Sequence, residues 1–179
     1  HISLAAPGGT VTINRTKTPP NYDSNMMVAD LEAGGMENGY DGGSISIVAG
    51  QLKMTNASIR TDTYSATGSD GILFNVDQDI NISGGFISAS TYGQGNSGSI
   101  TALADSFTLG EEGQILVAAY GTGNSGDQDQ MAFSLKAREV NLVTGGQITS
   151  PTNGSGLAGN IEVIATESVN ISGSQNLYY

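Results

Sequence analysis

Apolar residues in this chain recur at every second position in short runs. The clearest are ISIVA from Ile45, ILFNV from Ile72, ITALA from Ile100, FSLKA from Phe133 and IEVIA from Ile161. A spacing of two puts the apolar side chains on one face of a strand and the intervening Ser, Thr, Asn and Lys on the other. A second apolar pair follows each run: Leu52/Met54, Ile80/Ile82, Phe107/Leu109, Val140/Leu142 and Val169/Ile171. A third short element is led by Ile59, Ile87, Ile115 or Ile148. The tight spacing of these elements leaves no room for a helix.

The pattern has a period. G-x-x-G precedes each first run, at Gly39, Gly68, Gly95, Gly123 and Gly156, in steps of 29, 27, 28 and 33 residues. Three short strands per unit, each stacked on its counterpart in the next unit, predict an all-β parallel β-helix, or β-solenoid. It would have about five coils of about 28 residues with three short strands each. Such repeats are expected over residues 34–179, and the long last step places a loop insertion at Asp127–Met131. Residues 1–33 fit the period poorly: TVTIN at 10–14 reads as strand, and KTPPNYDSNMM at 17–27 reads as loop. They are expected to form an irregular N-terminal segment or a partial coil.

The period also disposes of one motif. Gly93, Gly95 and Gly98 spell G-x-G-x-x-G, and Gly121–Gly126 spells it again. A dinucleotide loop needs a helix after it to hold the pyrophosphate. Here the apolar residues that follow, at 100, 102 and 104, are spaced as strand. The motif is a repeated corner, and no cofactor is expected.

GQGNSGSITALADSFTLGEEGQI and GLAGNIEVIATESVNISG resemble the repeats of large filamentous-haemagglutinin-like exoproteins, notably the cyanobacterial ones. The match covers about residues 34–173. The resemblance implies a right-handed β-helix, export by a two-partner secretion system, and work at the surface of a Gram-negative-type bacterium. The amino-terminal secretion domain of that family is not evident here.

Composition narrows the partners. A net charge of −11, with six lysines and arginines in all, excludes nucleic acid and anionic membrane surfaces as natural targets. The acidity serves solubility or bridging by divalent cations. Cysteine is absent, so neither disulfides nor thiol chemistry is available. No apolar run approaches the ~20 residues of a membrane span. The chain opens on His1 with no secretory signal at its start, as expected of a processed product or a piece of something longer.

Candidate chemistry is sparse. Asp77 and Asp79 are two apart, and Asp105 lies near them one unit on, the makings of a carboxylate pair for glycoside chemistry. Asp127 and Asp129 in the insertion offer ligands for a cation. GGMENGYDGG at 34–43 lacks the spacing of a calcium nonapeptide. Tyr64, Tyr92 and Tyr120 are 28 apart and predict a stacked aromatic ladder that stops at Asn153. Five Asn-x-Ser/Thr sequons stand at Asn14, Asn56, Asn81, Asn153 and Asn170. Thr61/Thr63 begin no regular threonine face, since the equivalent places hold Ala89/Thr91 and Val117/Ala119.

No catalytic, cofactor or metal residue is assigned on this basis. The expected function is an extracellular structural or adhesive segment, an adhesin or fibre piece able to stack end to end. Its partners would be further copies, the rest of a longer chain, or surface glycans. The alternative is a polysaccharide lyase or hydrolase.

Overall fold

A computed structural model describes residues 1–15, 31–34 and 39–173. The loop expected at 17–27 and the end of the chain from 174 lie outside these residues. The described residues are all strand and turn.

Strand β1 (Ile2–Asn14) extends the expected TVTIN back to the start of the chain. It is followed by β2 (Leu31–Glu32), β3 (Ser44–Thr55), β4 (Ser58–Arg60), β5 (Gly71–Val76), β6 (Asp79–Ser83) and β7 (Phe86–Ser88). Then come β8 (Ser99–Leu103), β9 (Ser106–Gly110), β10 (Gln114–Leu116), β11 (Met131–Leu142), β12 (Gln147–Thr149) and β13 (Asn160–Ile171). Every strand pairing is parallel.

Alternation decides which side of each strand is buried. In β6, Ile80 and Ile82 are buried while Asp79 and Asn81 are exposed, and β5 buries Ile72, Phe74 and Val76 around exposed Leu73 and Asn75. Pairing brings like residues together, so that Ile45, Ile72, Ile100 and Phe133 are in register across β3, β5, β8 and β11. Leu31, Ile59, Ile87, Ile115 and Ile148 do the same across β2, β4, β7, β10 and β12. One hydrophobic cluster takes in residues of both sets, including Phe74, Phe107, Phe133, Ile59 and Ile87. Each such side chain contributes about 1.5–3 kcal/mol by leaving water, so the stability of the fold lies in this shared core.

The pairings correct the expected architecture. A right-handed parallel β-helix of about five coils with three short strands each would give separate strands on each side. Instead, β3–β5–β8–β11–β9–β6 close by pairing into a six-strand parallel ring, with β1 flanking β3 and β13 flanking β11. A separate five-stranded parallel sheet runs β12–β10–β7–β4–β2, so the strand order is mixed. The cause is strand length. β3 and β11 run unbroken for 12 residues, past the point where the period predicts a break. Each therefore pairs with two shorter strands lying end to end, β3 with β5 and β6 and β11 with β8 and β9. The β-solenoid and repeat-protein description falls with this finding, and so does the secreted-adhesin vocabulary that accompanied it.

Candidate functional site

The glycine corners and the insertion enclose a polar cleft. It has a volume of about 490 Å³ and is lined by Thr67, Asp70, Gln94, Asn96, Asp127 and Gln128 together with Gly68, Gly95 and Gly98. Asp127 and Gln128 come from the insertion, so that segment completes the cleft. The insertion is a tight turn held by its own first residue. Asp127 Oδ1 accepts from the backbone N–H groups of Asp129 and Met131, both at 3.0 Å. Gln130 takes a left-handed φ of 60° and its carbonyl accepts from Asn160 N–H at 2.6 Å. Asn96 is likewise fixed, its Oδ1 accepting from Asn124 N–H at 3.0 Å.

The lining carries carboxylates, carboxamides and hydroxyls and no basic side chain. It suits a neutral, hydroxyl-rich ligand and repels an anion. Asp127 spends one oxygen on its own loop, so the cation reading for Asp127/Asp129 loses a ligand atom. Among the described residues there is no cluster of three or more His, Asp or Glu side chains able to hold a metal ion.

Of the candidate carboxylates, Asp77 is exposed in the turn after β5 and Asp79 is exposed at the first position of β6. Asp79 is in register with Ser106, and Asp105 reaches this turn by its backbone, donating to Gln78 O at 2.8 Å. The Asp105 side chain turns instead to Arg138, which it meets at 3.0 Å. Glu139 and Glu167 each meet the same guanidinium at 2.5 Å. The hydrogen bonds that Arg138 donates to Asp105, Glu167 and Glu139 hold it above the ordinary arginine value. Sequence reading missed this group because Arg138 lies 33 residues from Asp105 and 29 from Glu167.

The tyrosines do stack. Ring centroids of Tyr64 and Tyr92 lie 4.5 Å apart with planes 5° from parallel, and those of Tyr92 and Tyr120 lie 4.8 Å apart at 18°. The spacing is that of neighbouring strands. Parallel bridges Thr63–Thr91 and Thr91–Ala119 set it. Tyr120 N–H donates to Thr91 O and Asn153 N–H to Ala119 O, so Asn153 takes the next place and ends the ladder. Each pair is worth about 0.5–1.5 kcal/mol beyond its burial.

Burial, then the charge of Asp62, holds the Tyr92 and Tyr64 phenols above their ordinary value. A raised folded-state value means that the ladder's contribution is complete below the unfolded tyrosine value of ~10 and is lost as pH rises beyond it. In an alkaline titration followed by phenolate absorbance, Tyr92→Phe is expected to remove intensity from the late end of the curve and to flatten the loss of stability above pH ~10. Loss of intensity from the early part of the curve would count against a protected ladder.

Sequence reading also missed a buried polar row on β4 and β7. Ser58, Arg60, Asp62, Ser88 and Ser90 are all buried. Arg60 donates through Nε and Nη2 to Asp62 Oδ2 at 3.0 and 2.5 Å. Ser88 Oγ and Ser90 N–H donate to Asp62 Oδ1 at 2.5 and 2.8 Å. The guanidinium lies 6.0 Å from the Phe86 ring centroid. Desolvation alone lowers the Arg60 value, and Asp62 more than offsets it. The available signal was Arg60 and Asp62 two apart in a strand-like run, hence on one face.

The remaining candidates are dispersed. Thr61 and Thr63 are fully buried, so they present no threonine face. Asn14, Asn56, Asn81, Asn153 and Asn170 are all exposed. His1 Nδ1 lies 2.7 Å from Ser44 Oγ. Of the segment 34–43, residues 35–38 lie outside the described set.

Of the two flanking strands, β13 carries exposed large hydrophobic residues and β1 half-buried ones. On β13, Ile161, Val169 and Ile171 stand 42, 53 and 74% exposed, although the partners of the first two, Phe133 and Val140, are fully buried and that of the third, Leu142, is half-buried. In β1, Ile2, Leu4, Val11 and Ile13 are half-buried against the same core. No family model, curated protein or solved structure matches the chain.

Proposed function

We propose that this chain is a structural segment, continued at its edges by further parallel strands. The observation that carries the reading is β13. It spans 12 residues, pairs on one side with β11, and leaves an apolar row exposed where the next strand would cover it. A long uncovered edge of this kind is a template for pairing. The residues that usually defend an edge, inward charge or a very short strand, are missing from its apolar row.

Amide hydrogen exchange tests this. The outward-directed amides of β13 are expected to be protected in the assembled protein at high concentration. Ile171→Lys, at a position 74% exposed, should abolish that protection and leave the amides of β5 and β8 unchanged. Free exchange along β13 under all conditions would defeat the reading.

A further inference from the structure

The strand that covers β13 is assigned by matching the two edges position by position. This inference rests on the structural reading above. The register of every internal pairing carries one set of positions through the whole first assembly. Val11, Leu52, Ile80, Phe107, Val140 and Val169 form one row. Ile13, Met54, Ile82, Leu109, Leu142 and Ile171 form the next. Ile2, Ile45, Ile72, Ile100, Phe133 and Ile161 form a third. Each row begins on β1 and ends on β13, and both ends are apolar. We infer that β13 pairs with β1 of a second copy in the register Ile161–Ile2, Val163–Leu4, Ala165–Ala6, Val169–Val11 and Ile171–Ile13.

Two features single out a copy of this chain. The first is that both edges break at the same place. β1 leaves its ladder between Ala6 and Thr10, and β13 leaves its own between Ala165 and Ser168. Pro7, which has no N–H to offer, therefore falls where the ladder is already interrupted.

The second is charge. With a net charge of −11, two copies repel over most of their surface. No charged residue stands between Ile2 and Asn14. Glu162 would face Ser3, and Glu167, already held by Arg138, would face the Pro7–Gly9 bulge. No acid meets an acid along the contact.

The chain has no cysteine, which makes disulfide mapping clean. Thr12 and Asn170 are both exposed and end one outward row, through Lys53, Asn81, Thr108 and Asn141. Within one copy four strands stand between them on this row, beyond the reach of a disulfide. Across the inferred contact they are adjacent, within the ~4.4–6.8 Å that a disulfide spans.

Oxidised T12C/N170C is expected to give a ladder of covalent multimers, at least about tenfold more than T12C/E162C, whose cysteines lie at opposite ends of the contact. Equal yields from the two pairs would overturn the register. Protection of β13 that does not change on dilution would assign the edge to another partner or to flanking chain. That result would end this inference and leave the structural reading standing. Free exchange of β13 would end both.

Discussion

Asp62→Ala is expected to lower the stability of this protein by about 3–5 kcal/mol, a fall in melting temperature of roughly 6–20 °C for a chain of this size. The effect follows from what the substitution leaves behind. Arg60 is only 6% exposed and spends its Nε and Nη2 donors on Asp62. Without the carboxylate, a guanidinium stays in a place where water cannot replace its partner. Ser88 Oγ and Ser90 N–H lose their acceptor as well. Phe86 offers only the face of a ring at 6.0 Å, which is weak compensation.

Charge and hydrogen bonding can be separated by two further variants. Asp62→Asn keeps an oxygen for Ser88 and Ser90 but removes the charge, so it should cost less than Asp62→Ala. Adding Arg60→Met to Asp62→Asn should then restore stability, because the uncompensated cation is gone and an apolar side chain of similar length fills its space. The pair of substitutions is thus expected to be more stable than one of its parts. Urea unfolding of the four proteins measures this. Additive losses would mean that the ion pair is not the organising feature of the row.

That network also marks where local reading ends. Strand positions were legible because alternation is local: Ile80 and Ile82 inward, Asn81 outward, can be read from three residues. The tyrosine ladder was legible because its members share one spacing and the strands stack at one distance. Closure of the ring was not. It depends on β3 continuing through Gly50 and β11 through Arg138, places where a glycine and a charge look like breaks. Whether the backbone turns or carries on there is decided by the hydrogen bonds of neighbouring strands, which lie about a period away in sequence.

Arg60 and Asp62 mislead for a related reason. Alternation puts them on the face opposite Ile59, the face usually left to water, yet both faces of β4 are buried. The candidate acids show the same limit from the other side. Asp77 and Asp79 are local neighbours, but the partner of Asp105 is an arginine in a later strand. The cleft was half legible: the insertion was visible as an excess of five residues, while its meeting with the corners at 66–70 and 94–98 is a product of stacking.

Gly71→Ala and Gly8→Ala should differ in cost although both residues hold a left-handed backbone, with φ of 87° and 71°. A left-handed φ alone costs an alanine about 1–2 kcal/mol. At Gly8, in the bulge of the edge strand, a Cβ meets nothing within 4 Å, and that conformational term is the whole penalty. At Gly71, which pairs with Ser44 on one side and Ser99 on the other, a Cβ would sit 1.9 Å from Ser99 O and 2.7 Å from Ser99 N. Those atoms belong to a backbone ladder and cannot swing aside as a side chain would. Relief requires β5 and β8 to part at their start, which breaks ladder hydrogen bonds and loosens Ile72 against Ile100. The expected loss at Gly71 is at least about 3 kcal/mol, against about 1 at Gly8. Hydrogen exchange should locate the damage, with the amides of Ile72 and Ile100 losing protection in Gly71→Ala and keeping it in Gly8→Ala. Equal destabilisation by the two would mean that the corner is open enough to admit a methyl group, and the close approach of strands there would have to be redrawn.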